Sequence, residues 1–339
     1  MLHHSFASMG KRFLPLLLAL FLTLGCLPAM AEEAAFAPIY PLREDAPALT
    51  AEGFLPEDSE EDYYLVIDKE AGEWTYIDHE MFINIRSFHD TVERDRNLIW
   101  YESEIKVAPG VKFVTQHANP DPQYIGRRFL YAHDFARQTN SIFAISDDFY
   151  GFRVYAKRRP GVIIQNSKIL ADDTLKQSHW ALPTYDLIAL FEDGSMKTYL
   201  AGEIGAEELL AMGATDTWCF GPVLLSESQI GEQVLNKQFE YINPRQTIGM
   251  IEPNHYLVMT IEGRHKNSDG VGLIWVAERM RDLGCTEALN LDGGNSVKLV
   301  FMGSLINSDQ HYNEKNDRTV TSMITLGTFP LETILGEEE

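Results

Sequence analysis

The sequence predicts an α+β fold, with a single domain in which a central mixed β-sheet is covered by a few helices. Short runs rich in β-branched and aromatic residues, bounded by turn residues, recur along the chain, whereas helical periodicity is clear in only two places. The predicted strands are 63–68, 113–116, 142–146, 162–165, 187–191, 247–251 and 256–261, the last two joined as a hairpin through 253–255.

The two predicted helices are 206–212 and 271–283. The first ends at Gly213, a residue type that favours helix termination. The second places Leu273, Val276, Ala277, Met280 and Leu283 on one face, with Ser268 or Asp269 as its N-cap. This helix leads into the apolar run that ends at Asp292.

Residues 1–31 have the features of a secretory signal peptide. Lys11 and Arg12 precede the apolar stretch 13–27, and Ala29-Met30-Ala31 matches a cleavage site. We therefore expect a secreted or extracytoplasmic protein with no stable membrane span after cleavage. Cys26 leaves a lipoprotein alternative, which Thr23 disfavours because a large aliphatic residue is expected there.

Composition divides the rest of the chain into three parts. Residues 32–62 are acidic and proline-rich, which predicts a flexible leader because such a stretch buries too little apolar area to offset its ordering entropy. The folded domain is predicted to span 63–330, and 331–339 an acidic tail.

The formal net charge of −22 argues against nucleic acid as a partner. After signal cleavage only two cysteines remain, Cys219 and Cys285. We expect two buried free thiols rather than a disulfide, because the first lies in an apolar run and the second follows a helix.

The segment 288–296, Ala-Leu-Asn-Leu-Asp-Gly-Gly-Asn-Ser, is the most informative in the chain. An apolar run ends in Asp292, and Gly293 and Gly294 then permit a tight turn or close approach of a ligand. The alternative is an ordinary hairpin turn capped by its own aspartate.

Three other clusters of chemically active residues lie beside turns. A strand ending at Ser146 delivers Asp147 and Asp148, with Arg153 close by. The others are 220–224, Phe-Gly-Pro-Val-Leu, and 262–264, Glu-Gly-Arg; Asn307 and Arg318 follow the Asp292 turn.

In order and spacing, these segments resemble the phosphodiester glycosidase family. Its pattern runs Ala-Ile-Asn-Gly-Asp-Tyr-Tyr-Gly, Gly-x-Val-Ile-x-Asn-Gly, Phe-Gly-Pro-x-Leu, Asn-Pro-Arg-x-x-Ile-Gly, Asp-Gly-Arg and Asn-Leu-Asp-Gly-Gly-Gly-Ser. The corresponding segments here are 144–151, 161–167, 220–224, 243–249, 262–264 and 290–296, with fainter similarity from about 84 to 327.

Several positions depart from that pattern. Ser146 and Asp147 replace Asn-Gly, Glu262 replaces aspartate, and Asn295 replaces the third glycine of the turn, which asparagine tolerates better than most residues. Val297 replaces a small hydroxylated residue. The changes at Ser146 and Asn295 leave room for a shifted substrate or an inactive relative.

The resemblance implies hydrolysis of a sugar C1–O–phosphate bond, such as that of an N-acetylglucosamine phosphodiester. It implies Asp148 and Asp292 as the catalytic carboxylates. Which is acid and which is base or nucleophile stays open. Arginine suits bidentate phosphate contact. The substrate-binding residues expected are Arg153, Arg264, Arg318, Arg245, Asn307, Ser296, Gly293 and Gly294.

We expect no cofactor. The converging aspartates leave a divalent cation open, but no metal-ligand spacing in the sequence supports one.

Two functions from different classes remain. The first is a secreted hydrolase that cleaves phosphodiester glycosides in envelope or extracellular glycans, including exopolysaccharide. The second is a non-catalytic protein that binds carbohydrate or sugar phosphate on the same fold.

Overall fold

A computed structural model of the chain describes residues 35–92, 96–119, 121, 127–148, 161–173, 184–307 and 318–329. The strands are β1 (Tyr64–Asp68), β2 (Glu73–Ile77), β3 (Met81–Val92), β4 (Arg96–Val107), β5 (Val114–His117), β6 (Ser141–Ile145), β7 (Val162–Gln165), β8 (Lys168–Asp172), β9 (Asp186–Phe191), β10 (Met196–Tyr199), β11 (Ala214–Phe220), β12 (Val223–Ser226), β13 (Gln229–Ile230), β14 (Arg245–Glu252), β15 (His255–Ile261), β16 (Glu287–Asn290), β17 (Leu299–Phe301), β18 (Ser304–Leu305) and β19 (Ser322–Thr328). The α-helices are α1 (Ala132–Thr139), α2 (Ala206–Ala211) and α3 (Leu273–Asp282), and short 3₁₀ helices lie at Glu232–Leu235, Lys237–Phe239 and Gly294–Ser296.

The strands form several sheets, so the expected single central sheet is wrong, although the class is broadly α+β. A nine-stranded sheet has the order β1-β2-β3-β4-β15-β14-β16-β12-β13, and a five-stranded sheet has the order β18-β17-β6-β19-β5. Two smaller sheets have the orders β10-β9-β11 and β7-β8. Every pair we observe among the described strands is antiparallel rather than mixed, as in the short hairpin that joins β14 to β15.

The main core contains residues from both large sheets. Ile83 and Ile105 of β3 and β4 belong to one buried cluster with Phe143 and Ile145 of β6. The intervening residue Ala144 belongs to a different cluster, which includes α1. Strand β6 is therefore covered on both faces, and its sequence is apolar throughout after Ser141 for that reason.

Helix α3 lies where periodicity predicted it and packs Val276 and Met280 against Leu257 of β15 and Ala288 of β16. Its N-cap is Gly272, not Ser268 or Asp269. The Ser268 hydroxyl instead donates to the carbonyl oxygen of Glu262 at 2.9 Å.

Residues 36–55 differ from the flexible leader that composition predicted. The Phe36 ring packs edge-on against Phe82 and His255, and Phe54 and Leu55 are buried with Phe82. The acidic composition led to the prediction of flexibility, although these few apolar side chains are enough to hold the segment on the sheet.

Cys219 and Cys285 are both buried and free, which confirms the prediction for the two thiols. Among the residues described, no helix has both the length and the apolar character needed to cross a membrane.

Candidate active site

Strand register brings three of the sequence segments to one end of the nine-stranded sheet. Arg245, at the start of β14, pairs with Ile261 at the end of β15, and Thr247 pairs with Asn290 at the end of β16. The Glu262–Arg264 segment and the Asp292 turn therefore leave the sheet side by side. Glycine-containing sequence follows each of these two strand ends, with Gly263 after β15 and Gly293 after β16.

The five-stranded sheet delivers Asp147 and Asp148 to the same place. The backbone N–H of Asp292 donates to the carbonyl oxygen of Asp147 at 3.2 Å, and the N–H of Ser146 donates to the carbonyl oxygen of Lys298 at 3.3 Å. Asp147, Asp148 and Asp292 are all buried. The backbones that carry the two predicted catalytic carboxylates are thus in direct contact.

The Phe-Gly-Pro segment lies against the strand that leads to Asp292. Asn290 donates its backbone N–H to the carbonyl oxygen of Pro222 at 3.2 Å and its side-chain amide to the carbonyl oxygen of Gly221 at 2.8 Å. Burial raises the pKa of the nearby Cys219 thiol, and the negative charge of Asp148 raises it further. Asp148 therefore acts electrostatically on this part of the site.

The Asp292 turn has the backbone restrictions that its glycines predicted. Gly294 has a φ of +59°, and a Cβ there would lie 3.0 Å from Nη1 of Arg264. A Cβ on Gly293 would lie 2.7 Å from the carbonyl oxygen of Pro244. Both glycines are required, one for its conformation and the other for close packing of the backbone.

Arg264 and Arg245 lie beside this turn and are held by neutral oxygens. Asn243 Oδ1 accepts hydrogen bonds from Arg264 Nη2 at 2.6 Å and Nε at 3.2 Å, and Asn295 Oδ1 accepts one from Nη1 at 3.2 Å. Arg245 donates to the carbonyl oxygens of Val271 and Tyr241. Burial, and to a smaller extent the positive charge of Arg264, lowers the pKa of Arg245 to about 10.

Arg318 and Asn307 occupy different positions relative to the turn. Arg318 Nη1 donates to the Ser296 hydroxyl at 3.0 Å, so both of these predicted site residues lie at the turn. Asn307 is buried, accepts from the N–H of Leu299 at 2.6 Å and donates to the carbonyl oxygen of Val297 at 3.3 Å. The Asn307 amide therefore holds the backbone that follows the turn.

Two departures from the family pattern acquire partners in the structure. Asn295 is an acceptor for Arg264, as described above. Glu262 is buried, and its longer side chain accepts from the Tyr101 hydroxyl at 3.1 Å and lies 3.0 Å from His265 Nε2. Burial, followed by the charge of Glu262, raises the pKa of Tyr101, so the phenol remains a donor.

The third departure, Ser146, is buried, and its hydroxyl has no hydrogen-bond partner in the described part of the chain. Arg153, also predicted for this site, lies outside the described residues. Tyr101 and His265 were missed by sequence reasoning. The spacing from Glu262 to His265 is the only local signal for the latter, and Tyr101 carries no signal at all.

Metal binding receives no geometric support from the described residues, which contain no group of three or more His, Cys, Asp or Glu side chains positioned around a common point.

The residues 139–326 match the family model for phosphodiester glycosidase, and this segment is more than half of the chain. The protein belongs to the phosphodiester glycosidase family. The match includes the segments that form the site just described, from β6 through Arg318.

The chain is also similar to individual proteins of known structure. The fold is similar to the catalytic domain of zebrafish N-acetylglucosamine-1-phosphodiester alpha-N-acetylglucosaminidase, solved in a form auto-inhibited by its pro-peptide. That likeness has a TM-score of 0.58 and 16% identity, and it covers 74% of this chain and 84% of the other. A putative exported protein from Burkholderia pseudomallei K96243 has a TM-score of 0.48 at 12% identity, covering 70% of this chain and 75% of the other.

Among curated proteins, the chain is similar to the SPbeta prophage-derived uncharacterized protein YomE of Bacillus subtilis (strain 168). The two are 28% identical over 138 residues, which is 40% of this chain. The similarity spans only 21% of the length of that relative.

Proposed function

We propose that the protein is a secreted hydrolase that cleaves the C1–O bond between a sugar and a phosphodiester in envelope or extracellular glycans. Membership of the family supports the reaction class. The observation that carries the proposal is the contact between two carboxylate-bearing segments beside Arg264 and Arg245, two arginines for which the described residues supply no carboxylate partner.

The arginines account for recognition of the phosphate. Among the described residues, Arg264 and Arg245 donate to amide and carbonyl oxygens and to no carboxylate, so their positive charge remains available to an anionic ligand. A chain with a net charge of −22 repels anions at long range, and a local cationic site is needed to bind one. Arg318, which donates a hydrogen bond to Ser296, contributes a third guanidinium at the turn.

The carboxylates account for the bond cleavage. Water adds its oxygen to C1, the C1–O bond breaks, and the departing phosphomonoester keeps the bridging oxygen and the electron pair. One of Asp148 and Asp292 removes the proton from water or stabilises the positive charge at C1, and the other completes the pair. Because phosphate is a good leaving group, strong acid assistance to the departing oxygen is less necessary than in ordinary glycosidases.

The test uses a methyl phosphodiester of α-N-acetylglucosamine 1-phosphate as substrate, with release of free sugar as the readout. Asp292→Asn and Asp148→Asn each remove one charge at nearly constant volume, and we expect a loss of about 10²- to 10⁴-fold in kcat. Asp269→Asn, at an exposed residue near Arg264, is the matched control and should keep wild-type rates.

The alternative function, a non-catalytic carbohydrate- or sugar-phosphate-binding protein, gives a different result in the same experiment. Such a protein would bind the diester in calorimetry but would release no sugar even as wild type. The buried Ser146 hydroxyl, where the family has asparagine, is the observation that favours this alternative.

A further inference from the structure

The β3–β4 hairpin extends beyond the rest of its sheet beside the candidate active site. The last pair between β15 and β4 is Ile261 with Trp100, and β2 pairs with β3 only as far as Arg86. Strand β4 nevertheless begins at Arg96, so four of its residues project about 13 Å past the end of β15, at roughly 3.3 Å per residue.

The loop that follows Arg264 holds this projecting hairpin in place. The N–H of Ile99 donates to the Ser268 hydroxyl at 3.1 Å, and the N–H of Asp269 donates to the carbonyl oxygen of Asn97 at 2.9 Å. His265 and Ser268 exchange backbone hydrogen bonds with each other, each at 3.1 Å. The hairpin and the loop are therefore joined within five residues of Arg264.

Between the hairpin and the loop lies a groove with a volume of about 530 Å³. Its lining is mostly polar, with the apolar residues Leu98 and Ile99 in its wall. The polar lining residues are His89, Asp90, Thr91, Asn97 and Asn267.

The side-chain amides of Asn97 and Asn267 are exposed in the groove. In the described structure the side chains of Asn97 and Asn267 make no hydrogen bond, although each residue's backbone is used to join the hairpin to the loop or to hold the loop. Each amide offers two donors and an acceptor. Hydroxyl-rich ligands are matched by such groups, since neighbouring hydroxyls both donate and accept.

We propose that this groove is a second sugar-binding subsite, which receives a further ring of an oligosaccharide whose phosphodiester lies at Asp292. The inference rests on the proposed function, because that function places the phosphodiester of the oligosaccharide at Asp292. It identifies the substrate as an oligosaccharide rather than a single sugar. Asn267, which lines the groove, and Arg264 lie three residues apart in the same loop, and this loop is the link between the groove and the turn at Asp292.

The charge of the groove narrows the class of sugar. Asp90 is exposed in its wall, and the described residues that line the groove include no lysine or arginine, so an acidic sugar would be repelled. A neutral or N-acetylated sugar fits, because its amide and hydroxyl groups can pair with Asn97 and Asn267 without burying a charge.

Calorimetry with the β-1,4-linked trimer of N-acetylglucosamine and with its monomer tests the subsite. We expect wild type to bind the trimer at least tenfold more tightly than the monomer. The double variant Asn97→Ala/Asn267→Ala should lose about 10-fold on the trimer, as expected for two hydrogen bonds of about 0.7 kcal/mol each, and nothing on the monomer. Gln229→Ala, an exposed amide on the far edge strand β13, is the control and should change neither.

Equal affinity of wild type for trimer and monomer, or a double variant that keeps the trimer preference, would overturn the subsite. The failure of the proposed function is a separate result, namely no hydrolysis of the single-sugar phosphodiester by wild type. If wild type hydrolyses that short substrate, the double variant should do so at an unchanged rate, because neither asparagine contacts the turn.

Discussion

Two arginines near the nine-stranded sheet are held in opposite ways. Arg279 of α3 makes a two-pronged ion pair with Glu102, at 2.7 Å from Nε and 3.0 Å from Nη2, and also donates to the Tyr40 hydroxyl. Glu102 is fully buried and accepts a further hydrogen bond from Trp100. Arg264, in contrast, is exposed and donates to the amide oxygens of Asn243 and Asn295.

The positive charge of Arg279 stabilises the fold, whereas that of Arg264 is free to bind an anionic ligand. The ion pair of Arg279 and Glu102 is complete within the protein and attaches residue 40 of the N-terminal segment to the sheet. The guanidinium of Arg264 is positioned by neutral acceptors, and no carboxylate of the described residues forms an ion pair with it. The two variants below should therefore fail in different ways.

Arg279→Met should give the largest loss of stability. It leaves Glu102 buried without its ion-pair partner, at a cost of about 3 kcal/mol in unfolding free energy, the lower end of the usual range because Arg279 is one-third exposed. Denaturant unfolding measures this cost. The KM for the phosphodiester should stay at its wild-type value in the folded fraction, and a raised KM would remove the distinction between the two arginines.

Arg264→Met should leave stability within about 1 kcal/mol of wild type, because the residue is exposed. It removes a charged hydrogen bond to the phosphate, which we expect to raise KM by roughly 10- to 100-fold. Arg264→Lys keeps the charge but not the planar fork, and its KM should lie between the two. A wild-type KM in Arg264→Met would place phosphate binding elsewhere.

Gly294→Ala links the turn to Arg264 and should cost more than about 1 kcal/mol in stability. The alanine needs a strained positive φ, and its Cβ would lie 3.0 Å from Arg264 Nη1. Gly110→Ala is the matched control, since Gly110 also has a positive φ but no atom within 4 Å of an added Cβ. If Gly294→Ala and Gly110→Ala changed the KM for the phosphodiester equally, the contact between residue 294 and Arg264 would have no role in substrate binding.

Local sequence patterns located α2 and α3 but not α1, and all seven predicted strands are confirmed within about two residues at each end. The long hairpin of β3 and β4 was missed because charged and polar residues such as Glu102 and Glu104 interrupt its apolar pattern. These carboxylates are buried and paired with Arg279 and His255, which sequence could not show. The division into several sheets was also not predictable, because it depends on pairing between strands that are far apart in the sequence.

The candidate site was predicted better from motif order than from any single residue. Arg264, Ser296 and Arg318 lie at the turn, whereas Asn307 holds backbone atoms after it. The contact between Asp292 and Asp147 links the two large sheets, and no local pattern could reveal it. The partners of Glu262 likewise come from two separate segments.

The thiol nearest the site gives the smallest expected effect. Burial raises the pKa of Cys219, with a contribution from Asp148, so the neutral thiol dominates and cannot serve as a nucleophile. A thiol reagent at pH 8 should label neither Cys219 nor Cys285 in the folded protein and both after unfolding. The stability contributed by the protonated thiols should be complete below about pH 9 and decrease above it, because the unfolded thiols then ionise first. Rapid labelling of native Cys219 would contradict this description.

The most direct test of the central claim is hydrolysis of the N-acetylglucosamine phosphodiester in ¹⁸O-labelled water, with mass spectrometry of both products. Attack at C1, as the carboxylates and arginines at the Asp292 turn require, places the label in the sugar hydroxyl and none in the phosphomonoester. Label in the phosphate would show cleavage of the P–O bond instead, and the absence of any labelled product from wild-type protein would leave only a binding function.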